Sequence, residues 1–399
     1  MEAYLLDWAN LLLRWLHVIA GVAWIGASFY FVWLDLNLQP VKDEAMKAKG
    51  VMGELWAVHG GGFYNPQKYL NAPAALPEHL HWFKWEAYVT WMAGFALLCV
   101  QYYGHADLYL IDKSVLEMSS VVAVTIGLVA LVAGWIIYDL LCRSPVGDND
   151  RAMLVIMFVF FGAAAWGLSH AFGGRGVYIH IGAMIGTIMV ANVLMVIVPG
   201  QKKAIASMLA GQVPDPIHGK RGKQRSVHNN YFTLPVLFIM VSNHYPMTFG
   251  NAHGWAVLGA LSVAGVMIRH FFNLKNTGRI VPGYLVAAAI VLVALIFAIA
   301  PDMSASKKAG ATGVPYAKVK AVIDNRCIAC HSAHPTQAGF NEAPKGVMFD
   351  SAEQVKARAA LIYQQAVVAK AMPLGNLTQM TDDERALLGA WYLQGAKTE

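Results

Sequence analysis

The chain has 399 residues, 57% of them hydrophobic and only 14% charged, with a formal charge of +6 and a mean hydropathy of +0.45. Soluble chains carry about 25% charged residues, so this one cannot keep its surface wet. That excludes a soluble enzyme and a disordered protein together.

Eight apolar stretches are long enough to cross about 30 Å of hydrocarbon as helices. They fall near residues 9–34, 85–104, 118–141, 152–171, 176–198, 231–249, 254–273 and 281–300. The fourth and fifth are separated by little more than Gly173, Gly174, Arg175 and Gly176, which suits a tight turn between antiparallel helices. The composition then changes. Residues 301–312 read as a short polar linker, and 313–399 as a small soluble domain. The fold class expected is all-α: a polytopic membrane bundle of about eight helices over 1–300, followed by that domain.

Lys and Arg in the loops set the orientation. Loops 35–83, 142–151, 199–230 and 274–280 hold fourteen, among them Lys68, Arg143, Lys223, Arg225 and Arg279, whereas the opposite set holds only Lys113 and Arg175. The basic set is therefore expected on the cytoplasmic side, with both termini outside. The positive charge belongs to this asymmetry and not to nucleic-acid binding.

Four cysteines make no disulfide framework. Cys99 and Cys142 sit in or beside apolar runs and read as packing. Cys327-Ile328-Ala329-Cys330-His331 is different. Two thiols at this spacing followed directly by histidine form thioethers to haem vinyl groups, with His331 as the proximal iron ligand. A zinc site would want further cysteines. The second axial ligand is expected at Met372, where Pro373 disfavours helix and stiffens the segment; Met380 and Met348 compete. Thr381-Asp382-Asp383-Glu384 is a capping box for a last helix bearing Leu387, Leu388, Trp391 and Tyr392. The tail thus reads as a class I cytochrome c with one covalent haem c, built to accept electrons from the membrane part.

Histidines in hydrocarbon need partners and default to a functional reading. His17 and His180 appear at matched depth in the outer half of their helices and form the first-choice pair for a bis-histidine haem b, with His170 and His244 the second. Plain interhelical hydrogen bonding is the competing reading for each. The loop after the first helix is also unusual: Trp56, His59, Gly60-Gly61-Gly62, Phe63, Tyr64, Asn65, Lys68 and Tyr69, then His79, His81-Trp82-Phe83-Lys84-Trp85-Glu86. Such alternation suits a flat, polar, anionic ring, or simply a membrane surface. Snorkelling accounts for Lys84 and Arg269.

Trp15-Leu16-His17-Val18-Ile19-Ala20, Trp24-Ile25-Gly26, His59-Gly60-Gly61-Gly62-Phe63-Tyr64, His81-Trp82-Phe83-Lys84-Trp85-Glu86-Ala87-Tyr88 and the fused CxxCH tail together resemble the bacterial membrane-bound urate oxidases with a C-terminal cytochrome c. The resemblance covers essentially the whole chain. It implies oxidation of urate to 5-hydroxyisourate in purine breakdown, in the bacterial inner membrane with the cytochrome on the periplasmic side. Electrons would pass to a respiratory-chain acceptor such as a cytochrome c or terminal oxidase. The first helix is more weakly similar to the membrane protoporphyrinogen oxidases, in which a histidine so placed is associated with haem b. For a urate anion the chemistry asks for a cation, stacking rings and a base, which selects His59, Lys68 and Glu86 as catalytic candidates and Tyr64, Asn65 and Tyr69 as binding ones. Without the resemblance, a quinol–cytochrome c oxidoreductase or a redox-gated transporter or sensor fits the same residues.

Overall fold

A computed structural model describes residues 1–69, 73, 75–300, 304–309, 313–338 and 340–398. The chain is predominantly helical. Helix α1 (Glu2–Asn37) runs 36 residues, about 54 Å at helical rise, and stops where Gln39-Pro40 follows. Asp43 caps the short α2 (Glu44–Ala48) by accepting from the Ala45 amide at 2.8 Å.

The loop beyond folds as two small antiparallel ribbons. Strand β1 (Val51–Glu54) pairs with β4 (Gln67–Tyr69), and between them β2 (Ala57–His59) pairs with β3 (Gly62–Tyr64). The inner hairpin turns on Gly60 and Gly61, both at positive φ (58° and 82°). A two-residue turn matching strand twist needs that conformation at both positions, so the glycine triplet has a structural cause.

Helix α3 (Trp85–Leu97) continues into π-helical turns over Leu98–Tyr103 and is followed by the short α4 (Ala106–Tyr109). Next come α5 (Ser120–Arg143), capped by Ser119, and α6 (Asp150–Leu168), capped by Asn149. Helix α7 (Gly174–Ala191) passes through a π-helical segment, Asn192–Ile197, into α8 (Val198–Leu209). Then follow α9 (Pro216–Ser242), with Asp215 as cap and Pro216 at its first position, α10 (Pro246–Phe249), α11 (Gly254–Asn276) and α12 (Gly283–Ala298). The expected tight turn before α7 is present. A side chain on Gly174 would run into the Phe249 carbonyl, so glycine there lets α10 close over the turn.

Helix α7 is the hub: twelve of its residues are buried, and α3, α5, α6, α9 and α11 all pack on it. The outer helices keep large apolar side chains exposed, including Val129, Val132 and Ile136 on α5 and Val286, Ile290 and Val293 on α12. An apolar belt of that extent calls for lipid cover. Among the described residues, five helices are long and apolar enough to cross a membrane: Tyr4–Asn37, Ser120–Arg143, Asp150–Leu168, Gly174–Leu209 and Gly254–Asn276. A helix also occupies each of the other three expected places. However, α3 changes to π turns after thirteen residues, α12 has only sixteen, and the first half of α9 is polar.

The linker expectation is corrected in part. Residues Ser304–Ala309 form a helix, α13, that packs on the last helix, with Ser306 buried against Gly389. The tail comprises α14 (Tyr316–Arg326), α15 (Ala352–Ala357), α16 (Ala359–Ile362) and α17 (Asp382–Leu393), around a core of Val319, Ile323, Val355, Leu388 and Trp391. The capping box at Thr381 and Glu384 is formed as expected. The tail sits on the outer loops of the bundle. Gly250 meets the Ala369 carbonyl, and a side chain on Gly375 would lie 3.0 Å from the Ile111 carbonyl.

Candidate functional site

Helix α14 ends by delivering Cys327, whose amide donates to Ile323 O at 2.8 Å, and Cys330 and His331 follow in the next turn. His331 Nδ1–H donates to Val347 O at 2.9 Å, which leaves Nε2 as the lone-pair nitrogen a metal would take. Burial pushes the Cys327 thiol up to about 12, with Cys330 beside it adding to the effect, and burial raises Cys330 too. Met372 and Cys327 pack against the same core. The Met372 segment is held by Arg385, whose guanidinium donates to Met372 O at 2.7 Å, to Ala366 O and to Asn376 Oδ1 at 3.3 Å. Met380 is fully inside that core. Cys327, Cys330, His331 and Met372 therefore form a donor set of the type a c-type haem requires.

The membrane histidines have separate surroundings. His17 Nδ1–H donates to Thr90 O at 2.8 Å, and its ring faces Gly94, where a Cβ would approach to 2.7 Å. His180 is fully buried; its Nδ1–H donates to Gly176 O at 2.8 Å, and Tyr103 lies with its hydroxyl 3.2 Å from Nε2. Phe172 stacks on the ring at 4.8 Å. Level with Thr90, Trp91 donates to Thr187 Oγ1 at 3.0 Å. Thr187 lies seven residues beyond His180 on α7, about 10 Å at helical rise. His17 thus packs on the Thr90–Gly94 turn of α3, whereas His180 packs between Tyr103 and Phe172. His170 and His244 are exposed, the former with Nδ1 on Trp166 O at 2.8 Å. Among the described residues no hydrogen bond or ring contact joins the members of either expected pair.

The loop candidates separate. His59 and Tyr64 stand exposed on the β2–β3 hairpin. Asn65 is committed structurally, donating to Glu54 Oε2 at 2.9 Å and accepting from Gln67 at 3.1 Å. Tyr69 lies opposite Val51 in the outer ribbon. Glu86 is in the first turn of α3, with Oε2 buried and without a hydrogen-bond partner among the described residues. Lys68 is the candidate that lines a cleft, one of about 810 Å³, where it pairs with Asp35. A neighbouring cleft of about 510 Å³ is walled by Trp24, Phe31, His81, Trp82 and Asn229.

The same large cleft brings together groups that sequence reasoning passed over. Asn230 and Tyr231 of α9 face His270 and Asn273 of α11. Arg269 does not snorkel: it is 6% exposed, donates from Nε to Asn230 Oδ1 at 2.9 Å and lies 4.0 Å from the centre of the Phe29 ring. Arg225, counted above as a loop charge, is also buried and pairs with Asp139 at 2.7 Å. One signal was available: Arg269-His270 and Asn273 interrupt an apolar helix at one-turn spacing.

The fold defines a helical bundle with an apolar, lipid-facing belt, followed by a small helical tail that carries the CxxCH sequence. The family model described as urate oxidase N-terminal matches residues 3–300, and the chain belongs to that family. It is a urate oxidase-related oxidoreductase. No curated protein and no solved structure matches it.

Proposed function

We propose that the chain is a membrane-bound urate oxidase that passes electrons through haem c to a respiratory-chain acceptor instead of making peroxide from oxygen. The balanced half-reaction takes urate and one water to 5-hydroxyisourate, two protons and two electrons. One observation carries this reading. The urate oxidase segment and the CxxCH tail are one chain, and the tail's Met372–Gly375 segment lies against the bundle at Leu108 and Ile111.

Bound at Cys327 and Cys330, haem c supplies a one-electron acceptor whose potential a histidine and a methionine raise. The protein's part is to orient. Val347 holds His331 in one tautomer and Arg385 holds the Met372 backbone. The proposed topology has eight crossings in the bacterial inner membrane, with the tail outside. It is supported by the basic-residue asymmetry and by the docking of the tail on the basic-poor loops. A haem b is proposed on the histidine content alone, with His17 and His180 as the first pair and His170 and His244 as the second. A pyridine haemochrome assay showing haem c only would remove it.

The deciding experiment is anaerobic addition of urate to the oxidised, purified protein while haem c absorbance is followed. Reduction with formation of 5-hydroxyisourate is expected. A haem that dithionite reduces and urate does not would overturn the reading and point to a quinol donor.

A further inference from the structure

The cleft between α1, α9 and α11 contains hydrogen-bonding groups that the fold leaves unused. Asn230 is 1% exposed. Its Oδ1 accepts from both Arg269 Nε and Asn273 Nδ2, each at 2.9 Å. Arg269 Nε–H can only donate, so it fixes which end of the Asn230 amide is oxygen. That oxygen in turn fixes Asn273 with its amide nitrogen inward. What is left over is determined by this chain of bonds: Asn230 Nδ2 and Asn273 Oδ1, both buried and both without a partner among the described residues. An unpaired buried donor or acceptor destabilises the fold unless a ligand pairs it, and here one of each stands on adjacent helices lining one cleft.

The charge is also unbalanced. Arg269 has no carboxylate partner among the described residues, only Asn230 and the face of Phe29. A buried unpaired cation is unfavourable unless an anion comes to it. Beside these groups Tyr231 and His270 form a 2.7 Å hydrogen bond between hydroxyl and Nδ1, a coupled pair able to take up a proton. Lys68 stands at the rim, and Asp35 compensates it there.

We propose that this cleft binds the purine anion. Asn230 Nδ2 donates to a ring carbonyl and Asn273 Oδ1 accepts from a neighbouring ring N–H, as the alternating C=O and N–H edge of a urate requires. Arg269, behind Asn230, supplies the counter-charge and positions that amide. The Tyr231–His270 pair receives a proton that oxidation releases. The assignment rests on the urate oxidase reading and replaces the exposed hairpin residues His59 and Tyr64 as the site. Arg269 lies fifteen residues from the start of α11, about 22 Å along the helix, so the cleft opens at the end of the bundle away from the tail.

The test uses the full-length haem-loaded protein, with urate binding measured by equilibrium dialysis beside anaerobic haem c reduction. Asn273→Ala is expected to weaken urate binding and raise KM about tenfold, the loss of one ligand hydrogen bond. His270→Ala is expected to lower kcat about a hundredfold, the scale of a lost proton acceptor, and to remove the acidic limb of the pH profile. Dithionite reduction of haem c should be unchanged in both. Wild-type affinity and KM in Asn273→Ala, with urate still reducing the wild-type haem, would overturn the site and leave the urate reading standing. Should His270→Ala fail to fold, Tyr231→Phe replaces it, and a wild-type pH profile there would count against the proton role. No reduction of the wild type by urate would overturn both.

Discussion

Arg385 is the residue through which the tail's fold reaches Met372, the proposed haem ligand, and replacing it by alanine is a sharp test. The guanidinium is 6% exposed, and burial pulls it down from its ordinary value, against which Asp382 and Glu384 act. It donates to two backbone carbonyls, Ala366 and Met372, and to Asn376 Oδ1 at 3.3 Å. A hydrogen bond to a charged group contributes about 1.5–3 kcal/mol. Counting the two carbonyl bonds fully and the long third one little, Arg385→Ala should cost about 3–5 kcal/mol, a large part of a small domain's total stability of about 5–15 kcal/mol. That corresponds to a fall of more than about 10 °C in the tail's unfolding midpoint. The assay is thermal unfolding of the full chain in detergent, followed by haem c absorbance. Arg385→Lys should fall between, because one ammonium cannot span three acceptors in a fixed fork. An Arg385→Ala protein that melts with the wild type, its methionine–iron absorption intact, would refute the reasoning.

Met372→Ala should leave the haem attached at Cys327 and Cys330 but lower its potential by on the order of 0.1 V or more, as read by redox titration; an unchanged potential would move the ligand to Met380. Gly250→Ala places a methyl against the Ala369 carbonyl at the seat of the tail, an overpacking worth about 1–3 kcal/mol. Slower haem reduction by urate at unaltered haem potential is expected, and equal rates would show that this contact does not set the transfer. The tail should also lose stability in acid. Lys370 holds Asp382 below its ordinary 3.8. Burial of Glu384 acts upward, but its bonds to the Thr381 amide and Arg326 bring it below 4.5. Carboxylates depressed on folding stabilise above their unfolded values and lose that contribution as pH falls through the folded ones. The loss therefore begins below about pH 4.5, and a urea midpoint unchanged from pH 6 to pH 3 would contradict it.

What could be read along the chain was what depends on near neighbours. Helices appear at the apolar runs because hydropathy over twenty residues is a local sum. The haem attachment sequence is contiguous, and the Thr381–Glu384 cap is complete within four residues. The hairpin at Gly60-Gly61 was not expected in an all-α chain, although the positive φ it needs is one glycine adopts readily.

Lateral arrangement was not legible, because it depends on how each helix is rotated and shifted against the others. Arg225 and Arg269 read as surface charges by position, yet the fold buries both by bringing Asp139 to one and Asn230 and Phe29 to the other. His17 and His180 looked level when counted from helix ends. In the fold α1 begins at Glu2, earlier than its apolar core, and His17 packs on Thr90 and Gly94 while His180 packs between Tyr103 and Phe172. The polar 304–309 segment became a helix because Gly389 on α17 leaves room for Ser306. The sequence by itself determined the helical, membrane-spanning class of the protein and its urate oxidase family. Only the tertiary structure decided which polar groups meet inside the bundle, because a buried amide or cation is tolerated only where other helices supply its partners.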